Sequence, residues 1–516
     1  MVANVLRRWI RSTIRLTGFD LVRSERLAAA EAQIRQLPAE TIPVLPPINL
    51  AHQHELSRRL HFAQVADHYV LMDIVGKCNL RCPSCAVGNS TGGGPAGVMK
   101  LDTFRKILDK LRADHPDKKR FQIDLFNWGE PGLHTDLPAF IRLLNDYGMN
   151  SGISSNLNVF PKLKEVIAEG PGYIRVSLSG FYNATYQRTH RGGNIHAVKA
   201  NLYRLREYID LYSARTVVQV GFHIYKSNFP HDFLRVRELC DELGFLFSPV
   251  LASFMPAEKV LGLARGSVDS ADRGVLENLV IPMERQLDSR RMNLPVTTDC
   301  PLARRTTLGV DGAVSLCCAV YGQDKIVAKD YLAAPRGEIE QAKAAHPFCG
   351  DCTAHHIDQI YNCVEPAVLH EEAAAVLGPV YSAYRSQTQY LGHPDYVVLG
   401  DAFLHRDVVY ARLLESLTLG QAGRDEAERC ASALVDGAPD FGEGFFQAGR
   451  LAASRGERVR AEQLLARAVA LTPGHDGYRA EWESVAGTTS PRQKMIPLPL
   501  ATVSVERSQR DLASCG

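Results

Sequence analysis

Three cysteines lie close together in the stretch DIVGKCNLRCPSCAVGNS, which runs from Asp73 to Ser90. Cys78, Cys82 and Cys85 are separated by three residues and then by two. Four thiolates are the usual complement of a closed zinc or iron–sulfur site, so three leave one position of a metal centre open. A catalytic zinc ion usually recruits histidine or carboxylate, and this loop offers neither close by. The spacing therefore predicts a metal centre that binds a further molecule.

A second group of cysteines lies between about residues 291 and 370. It comprises six residues: Cys300, Cys317, Cys318, Cys349, Cys352 and Cys363. The segment LGVDGAVSLC reads as a hairpin with its turn at Asp311 and Gly312, which would direct Cys317 back toward Cys300. Four thiolates, from Cys300, Cys317, Cys349 and Cys352, suffice for one closed metal site, either an iron–sulfur cluster or a structural zinc ion.

Short apolar strands alternate with amphipathic helices from residue 66 onward. The predicted strands are Tyr69–Val75, Gln122–Asn127, Asn150–Ser154, Tyr173–Ser177, Val217–Ile224 and Leu246–Val250. This alternation favours an α/β barrel or open sheet whose parallel strands are joined by helices. Ligands of such sheets gather at the carboxyl ends of the strands. The Cys78 loop follows the first strand at that edge, and FNWGEPGLH follows the second.

Changes of pattern divide the chain into five segments. Residues 1–65 form a helical extension with a proline-rich linker, 66–290 the α/β domain and 291–370 the small cysteine-rich domain. Residues 371–490 are expected to be all-helical, and 491–516 an irregular tail. Within the helical domain, six residues fall on the positions of a tetratricopeptide repeat: Phe445, Gly449, Ala461, Leu465, Ala468 and Pro473.

Composition narrows the possible partners and the cellular location. The 516 residues carry a formal net charge of +2, which argues against a bulk attraction to nucleic acid. The first 21 residues form a basic amphipathic helix, either lying on a membrane surface or packed on the protein itself. They lack the pattern of a signal peptide, so we expect a cytoplasmic protein, in which twelve cysteines indicate metal or redox chemistry.

The first cysteine motif, CNLRCPSC after a first strand, resembles the signature of the radical S-adenosylmethionine (SAM) enzymes. The resemblance implies a partial (β/α)6 barrel and a [4Fe–4S] cluster on Cys78, Cys82 and Cys85, with SAM chelating the fourth iron. One electron then splits SAM into methionine and a 5′-deoxyadenosyl radical. Further residues match positions that bind SAM in this family: Gly129, Glu130 and Pro131 in the GEP motif, Ser154, Asn156, Ser177, Ser179, and Arg188 or Arg191. Ser84, just before the third cysteine, is a departure, since many members of the family carry an aromatic residue at this position.

The second cysteine group resembles the twitch and SPASM domains of the same superfamily. The resemblance implies one auxiliary [4Fe–4S] cluster, held by Cys300, Cys317, Cys349 and Cys352. A full SPASM set would need two more cysteines, where this chain has Asp358 and Asn362. Thiols quench the substrate radical in family epimerases, so Cys318 and Cys363 are candidate catalytic hydrogen donors. Cys240 is a third candidate, and each of the three is otherwise a buried small residue.

These resemblances imply a radical SAM oxidoreductase or epimerase. We expect a sugar or cyclitol substrate and an external one-electron donor of the flavodoxin or ferredoxin type. Two alternatives remain, a maturase acting on a peptide or protein, and a non-catalytic metal-bound protein that uses its repeats for interaction. The repeats could also bind a partner or mediate self-association. No nucleic-acid partner is expected.

Overall fold

The computed structural model describes residues 48–90 and 96–487. The predictions for the basic N-terminal helix and for the tail 491–516 fall outside these residues. The described residues form two compact units. One comprises Ala66–Leu243 and Phe247–Tyr381, and the other comprises residues 48–65, 244–246 and 382–487. The predicted boundary between residues 290 and 291 lies inside the first unit.

The first unit is built around a nine-stranded sheet. Its strands are β1 (His68–Met72), β2 (Phe121–Asp124), β3 (Asn150–Ser155), β4 (Tyr173–Ser177), β5 (Val217–Ile224), β6 (Leu246–Leu251), β7 (Thr306–Leu308), β8 (Val314–Ser315) and β9 (Ile326–Ala328), in the order β6-β5-β4-β3-β2-β1-β7-β8-β9. Strands β1 to β5 pair in parallel, and β7 pairs in parallel with β1. Strands β7, β8 and β9 pair antiparallel. The strands of the second cysteine region therefore extend the sheet that carries the first.

Helices connect and cover these strands, and they dominate the second unit. In chain order they are α1 (Leu50–Gln64), α2 (Ala86–Asn89), α3 (Leu101–Asp114), α4 (Leu137–Asp146), α5 (Leu163–Glu169), α6 (Asn183–Thr189), α7 (Ile195–Tyr212), α8 (His231–Leu243), α9 (Ala257–Ala264), α10 (Arg273–Asn278), α11 (Met283–Asn293), α12 (Arg336–Ala344), α13 (Pro347–Ala354), α14 (Ile357–Tyr361), α15 (Ala367–Leu377), α16 (Pro379–Thr388), α17 (Arg406–Thr418), α18 (Arg424–Gly437), α19 (Gly442–Ser454), α20 (Arg458–Leu471) and α21 (Asp476–Ala486). None of the described helices is long and apolar enough to cross a membrane.

Apolar side chains at helical spacing explain why these segments fold as covering helices. In α3, Phe104, Ile107, Leu108 and Leu111 recur three or four residues apart, and all four are fully buried. Such a stripe gives a helix one face to bury against a sheet. Burial of each of these side chains contributes roughly 1.5–3 kcal/mol, so the stripe holds the helix in place.

The two faces of the parallel strands differ in polarity. One face carries buried apolar residues, namely Ile123, Ile153, Ile174, Val176, Val218 and Val220. The register places polar residues on the other side, which we call the polar face: Gln122, Asp124, Ser154, Tyr173, Arg175 and Gln219. Interior polar residues are costly unless they bind something, so the polar face is where a ligand is to be expected.

The second unit contains a feature that the sequence analysis missed. Strands β10 (Tyr396–Leu399) and β11 (Ala402–His405) form an antiparallel hairpin in the segment predicted to be all-helical. The prediction was wrong here because it overlooked a hairpin signal. That signal is the apolar alternation in YVVL-GD-AFLH, with Gly400 at the turn at φ +64°. Val397 of this hairpin is buried in one core with Val409 and Leu413 of α17 and with Leu434 of α18.

Candidate functional site

The loop that follows β1 carries Cys78, Cys82 and Cys85. The sulfur of Cys78 accepts hydrogen bonds from the backbone N–H of Leu80 (3.4 Å) and the side-chain amide of Asn156 (3.6 Å). Burial raises the pKa of Cys78 to about 11, and the nearby charges of Glu130 and Cys85 act in the same direction. A sulfur that is surrounded by N–H donors yet hard to ionise is suited to a positively charged metal partner.

Cys82 and Cys85 lie beside Cys78 in the same loop. Burial raises the pKa of Cys82, and the nearby thiolates of Cys85 and Cys78 raise it as well, so the three thiols lie close enough to interact electrostatically. The backbone N–H of Gly88 donates to the carbonyl oxygen of Cys85 (2.9 Å) at the start of α2. Burial raises the pKa of Cys85, and the backbone N–H groups of Val87 and Gly88 counteract that shift. Gly88 is required because an added Cβ would lie 2.0 Å from the carbonyl oxygen of Cys82. The loop therefore brings the three predicted thiolates together.

The GEP turn follows β2 and is bound to the end of β1. One carboxylate oxygen of Asp73 accepts the backbone N–H groups of Asn127 (2.9 Å), Trp128 (3.0 Å) and Gly129 (2.9 Å). Burial raises the pKa of Asp73 to about 6, against the effect of these three donors. A Cβ on Gly129 would lie 1.7 Å from the Val75 carbonyl oxygen, so only glycine fits this turn. Asp73 was missed in the sequence, although a carboxylate at the end of β1 was visible there.

Glu130 connects the turn to the end of β3. Its carboxylate accepts hydrogen bonds from the Ser155 hydroxyl (2.7 Å), the backbone N–H of Asn156 (2.8 Å) and the backbone N–H of Gly132 (3.0 Å). Its own N–H donates to the carbonyl oxygen of Lys77, next to Cys78 (3.0 Å). Burial raises the pKa of Glu130, and these hydrogen bonds counteract that shift. The carboxylate thus ties three loops together at the carboxyl edge of the sheet.

The other residues matched to SAM contacts lie at varying distances from this network. Ser154 of β3 and Ser177 of β4 lie on the polar face, and Ser179 is buried. The hydroxyl of Ser179 accepts the backbone N–H of His223 on β5 (3.1 Å). Arg188 is exposed on α6. Pro131 is buried at the start of a short 3-10 turn whose first N–H groups Glu130 caps.

The second cysteine group also converges. Cys300, Cys317, Cys349 and Cys352 all pack against one apolar cluster. Burial raises the pKa of Cys352, and the charges of Cys317, Asp358, Cys300 and Cys349 raise it further. The structure therefore brings together the four cysteines that the sequence analysis grouped.

A buried amine and a carboxylate flank this second group. The Lys343 ammonium donates to the carbonyl oxygens of Arg305 (2.6 Å) and Ala303 (3.2 Å). Burial lowers its pKa, while nearby Cys317, Cys318 and Cys349 raise it. Asp358 is 2% exposed; burial raises its pKa, and hydrogen bonds from the Thr297 side chain and the backbone of Gln359 counteract that shift. Lys343 could not be identified from the sequence, because only the folded position of α12 brings its amine near the sulfurs.

The remaining cysteines have distinct surroundings. Burial raises the pKa of Cys318. The Asn127 side-chain nitrogen lies 3.2 Å from the carbonyl oxygen of Cys318, in the amide orientation in which the Asn127 oxygen also accepts a hydrogen bond from Nε1 of Trp128. Cys318 therefore lies close to the GEP turn. Cys363 is disulfide-bonded, so its sulfur carries no hydrogen in this state. Cys240 is buried on α8, away from both groups in the sequence and 1% exposed.

The described residues contain no preformed site for a single metal ion. Within the part of the chain that the structure describes, no three His, Cys, Asp or Glu side chains converge tightly enough to hold one metal ion. Four thiolates around a zinc ion at Zn–S distances of about 2.3 Å must approach one another to about 3.8 Å. In a [4Fe–4S] cluster each thiolate binds a different iron, so the sulfurs lie farther apart.

Comparison with protein families identifies the domain that contains the first site. Residues 72–223 match the model of the Radical SAM superfamily. This segment begins within β1, includes the cysteine loop and the GEP turn, and ends within β5. The chain therefore contains a radical SAM domain.

Two curated relatives match short parts of the chain. One is 7,8-dihydro-6-hydroxymethylpterin dimethyltransferase of Methanocaldococcus jannaschii, 30% identical over 135 residues, or 25% of this chain and 25% of the relative. The other is GTP 3′,8-cyclase of Lactiplantibacillus plantarum, 30% identical over 134 residues, or 25% of this chain and 39% of the relative. The chain thus spans well under half the length of either relative.

Among solved structures, Streptococcus suis SuiB bound to precursor peptide SuiA is similar. It has a TM-score of 0.37 and 12% identity, over 57% of this chain and 68% of SuiB. A TM-score below 0.5 at this identity is too low to transfer a function.

Proposed function

We propose that this chain is a radical SAM enzyme, with a [4Fe–4S] cluster on Cys78, Cys82 and Cys85 and SAM at its fourth iron. When bound, the cluster and SAM together supply a 5′-deoxyadenosyl radical that takes a hydrogen atom from the substrate. The observation that carries the proposal is the hydrogen-bonded connection from Glu130 through Asn156 to the sulfur of Cys78. These residues lie on three different loops. A hydrogen-bonded connection among the loops supports a role that they share at one site.

The GEP turn is proposed to hold the SAM ammonium mainly through its backbone. An ammonium group needs acceptors, and a carboxylate offers about four lone-pair positions. Glu130 already uses three of these for Ser155, Asn156 and Gly132. We therefore assign Glu130 chiefly to fixing the turn, whose carbonyl oxygens then face the ligand. Gly129 permits the close approach of the turn to β1 that this role needs.

The remaining contacts to SAM are proposed at the ends of β3 and β4. Ser154, Asn156, Ser177 and Ser179 offer hydroxyl and amide groups for the ribose and carboxylate, and Arg188 or Arg191 offers a guanidinium. The backbone carbonyl oxygen of Arg191 accepts the N–H of Arg81 in the cysteine loop (2.9 Å). Both arginines are exposed, and this backbone contact favours Arg191 over Arg188 as the residue nearer the cluster.

Tyr225 is proposed to supply the aromatic contact that Ser84 cannot make. The Tyr225 hydroxyl donates to the Ser84 hydroxyl oxygen (3.0 Å), and the tyrosine is 3% exposed. Its ring therefore reaches the position just before the third cysteine from the end of β5. An aromatic face at this place suits the adenine of SAM.

An auxiliary [4Fe–4S] cluster is proposed on Cys300, Cys317, Cys349 and Cys352, in a twitch-like domain. The convergence of the four thiols on one apolar cluster supports it. We place the enzyme in the cytoplasm, where a flavodoxin- or ferredoxin-type donor can supply single electrons. There the ten described free cysteines would stay reduced.

The substrate is proposed to be a small polar molecule of the sugar or cyclitol type, which the enzyme oxidises or epimerises. The names of both curated relatives refer to small-molecule chemistry, which favours this class over a peptide. Cys318 is the proposed hydrogen donor for an epimerisation, because its peptide adjoins the GEP turn. Cys363 would serve only after reduction of its disulfide. A peptide or protein substrate is the alternative.

The helices around residues 442–471 are proposed to form a tetratricopeptide-like module for a partner or for self-association. Phe445, Ala461, Leu465 and Ala468 are buried, as the repeat pattern requires. A Cβ on Gly449 of α19 would lie 2.7 Å from Cγ of Leu465 in α20, so glycine allows the two helices to pack closely. Repeats of this kind bury their apolar faces only against their neighbours.

The test is reductive SAM cleavage by the anaerobically reconstituted full chain. With dithionite and SAM, the wild-type protein should form 5′-deoxyadenosine, and Cys82→Ala should form none. Cys430→Ala is the matched control, since Cys430 is buried in α18 of the second unit. Absence of 5′-deoxyadenosine in the wild type, despite a full complement of iron, would favour the non-catalytic alternative.

A further inference from the structure

The polar face contains a buried arginine with an unsatisfied hydrogen-bond donor. Arg175 lies on β4 and is 4% exposed. Its Nη1 group is enclosed and finds no hydrogen-bond acceptor among the described residues. The charges of Tyr173 and Asp124 act on it, but the Asp124 carboxylate already accepts hydrogen bonds from Gln122 (2.7 Å) and Tyr173 (2.8 Å). The guanidinium is therefore not neutralised by a hydrogen-bonded carboxylate.

This arginine remains charged at neutral pH. Burial lowers the pKa of Arg175 to about 10, which still leaves it protonated. A buried charged donor without an acceptor typically costs several kcal/mol, so a position selected only for stability would carry an apolar side chain. An unpaired cation of this kind is expected where an anionic ligand completes the site.

Two glycines make room for charged groups on this face. A Cβ on Gly221 of β5 would lie 2.9 Å from Nε and 3.2 Å from Nη2 of Arg175. A Cβ on Gly152 of β3 would lie 2.2 Å from the Asp124 carboxylate. Larger residues at these positions would displace the guanidinium and the carboxylate. The guanidinium thus lies over Gly221, toward the carboxyl ends of the strands.

The backbone of Arg175 lies below Ser179, the last of the proposed SAM contacts on this segment, and its register partner on β3 is Ser154. Arg175 precedes Ser179 by four residues, which corresponds to about 13 Å along an extended strand. His223 lies two residues beyond Gly221; burial and, to a lesser extent, the charge of Arg175 lower its pKa to about 4. His223 is therefore a neutral neighbour of the guanidinium and competes for no anion.

We propose that Arg175 binds an oxyanion, a carboxylate or phosphate group of the substrate, on the polar face below the SAM site. That this ligand is the substrate rests on the proposed function, namely that the chain is a radical SAM enzyme. It narrows the substrate to a molecule that carries such a group, for example an acidic or phosphorylated sugar. Arg175 fixes one end of that molecule, while its reacting carbon lies toward the strand ends.

The test uses inorganic phosphate and acetate as probes and needs no turnover. Binding to the reconstituted full chain is measured by calorimetry at constant ionic strength, for the wild type, Arg175→Gln and Arg204→Gln. Arg204 is an exposed arginine on α7 and controls for the loss of one positive charge. We expect one of the probes to bind the wild type and Arg204→Gln alike, with at least tenfold weaker binding to Arg175→Gln. Equal binding to all three proteins, or none to the wild type, would overturn the proposal.

Two further measurements separate this inference from neighbouring explanations. The probe should still bind when SAM is saturating; displacement by SAM would assign Arg175 to the SAM carboxylate and overturn the assignment to the substrate. Without ligand, Arg175→Met should melt at the same or a higher temperature than the wild type, since it removes an unpaired charge. A lower melting temperature would show that Arg175 is structural. Because these readouts require no SAM cleavage, they stand independently of the 5′-deoxyadenosine test.

Discussion

The side-chain amide of Asn156 lies 3.6 Å from the sulfur of Cys78, so the end of β3 contacts the loop that follows β1. The same amide donates to the Asn79 side-chain oxygen (2.9 Å), which fixes its orientation. An N–H group directed at a cluster sulfur stabilises negative charge on it, and such hydrogen bonds help to set cluster potentials.

Asn156→Ala is expected to lower the reduction potential of the first cluster. The reduced cluster carries more negative charge than the oxidised one, so loss of an N–H donor to Cys78 disfavours reduction. The potential is measured by redox titration followed by electron paramagnetic resonance. Asn293→Ala, in the exposed last turn of α11, is the matched control and should leave the potential unchanged. A potential unaltered in Asn156→Ala would contradict this role.

Gly88→Ala should remove the first cluster without removing any of its ligands. The added Cβ would lie 2.0 Å from the carbonyl oxygen of Cys82, so the loop must shift. We expect loss of about one cluster per chain, seen in iron content and in the visible absorption. Gly274→Ala in α10 is the control, because nothing lies within 4 Å of its added Cβ. Full iron content in Gly88→Ala would show that the loop tolerates a different path.

Glu258 holds the segment that follows Cys317 and Cys318. One of its oxygens accepts the backbone N–H groups of Tyr321 (2.8 Å) and Gly322 (2.7 Å), and the other has no hydrogen-bond partner. Glu258→Ala leaves two N–H groups without an acceptor and should cost about 2–3 kcal/mol of unfolding free energy. Glu258→Gln keeps the accepting oxygen and should cost about 1 kcal/mol or less. Urea denaturation of both variants checks the difference; equal losses would refute the assignment.

His190 should contribute to a loss of stability in mild acid. Burial, and to a lesser extent His223, lower its pKa to about 3, from about 6.5 in the unfolded chain. Its contribution is fully present above pH 6.5 and is lost as the pH falls toward 3, because only the unfolded chain takes up the proton. The slope is about 1.4 kcal/mol per pH unit for one proton.

The variant His190→Gln tests this dependence. The difference in unfolding free energy between wild type and variant should shrink as the pH falls from 7 to 5. Comparing two proteins at the same pH values cancels the contributions of the groups they share. A constant difference across this range would mean that His190 keeps an ordinary pKa.

The sequence was sufficient to predict the strands and the cysteine groups because their signals are local. Strands β4 and β5 were predicted with their observed bounds, Tyr173–Ser177 and Val217–Ile224. Short buried runs between amphipathic helices determine such strands. The spacing of the cysteines determines which sulfurs meet within one loop.

Contacts between distant segments could not be predicted in this way. Pairing of β7 with β1, the Asp73 contact with the GEP turn and the approach of Lys343 to the second cysteine group all depend on tertiary packing. The unpaired state of Arg175 is likewise visible only when its neighbours are known, since an arginine in a strand normally reads as an edge or surface residue. The hairpin of β10 and β11 differs from these tertiary contacts, because its apolar alternation and turn glycine are local features that could have been recognised in the sequence.

Iron and sulfide per chain after anaerobic reconstitution test the central claim most directly. The wild type should hold about eight irons, in two [4Fe–4S] clusters. The Cys78/Cys82/Cys85 triple alanine variant and the Cys300/Cys317/Cys349/Cys352 quadruple alanine variant should each hold about four. About four irons in the wild type, falling to none in the triple variant, would contradict the auxiliary cluster and leave the second group as a zinc or metal-free site.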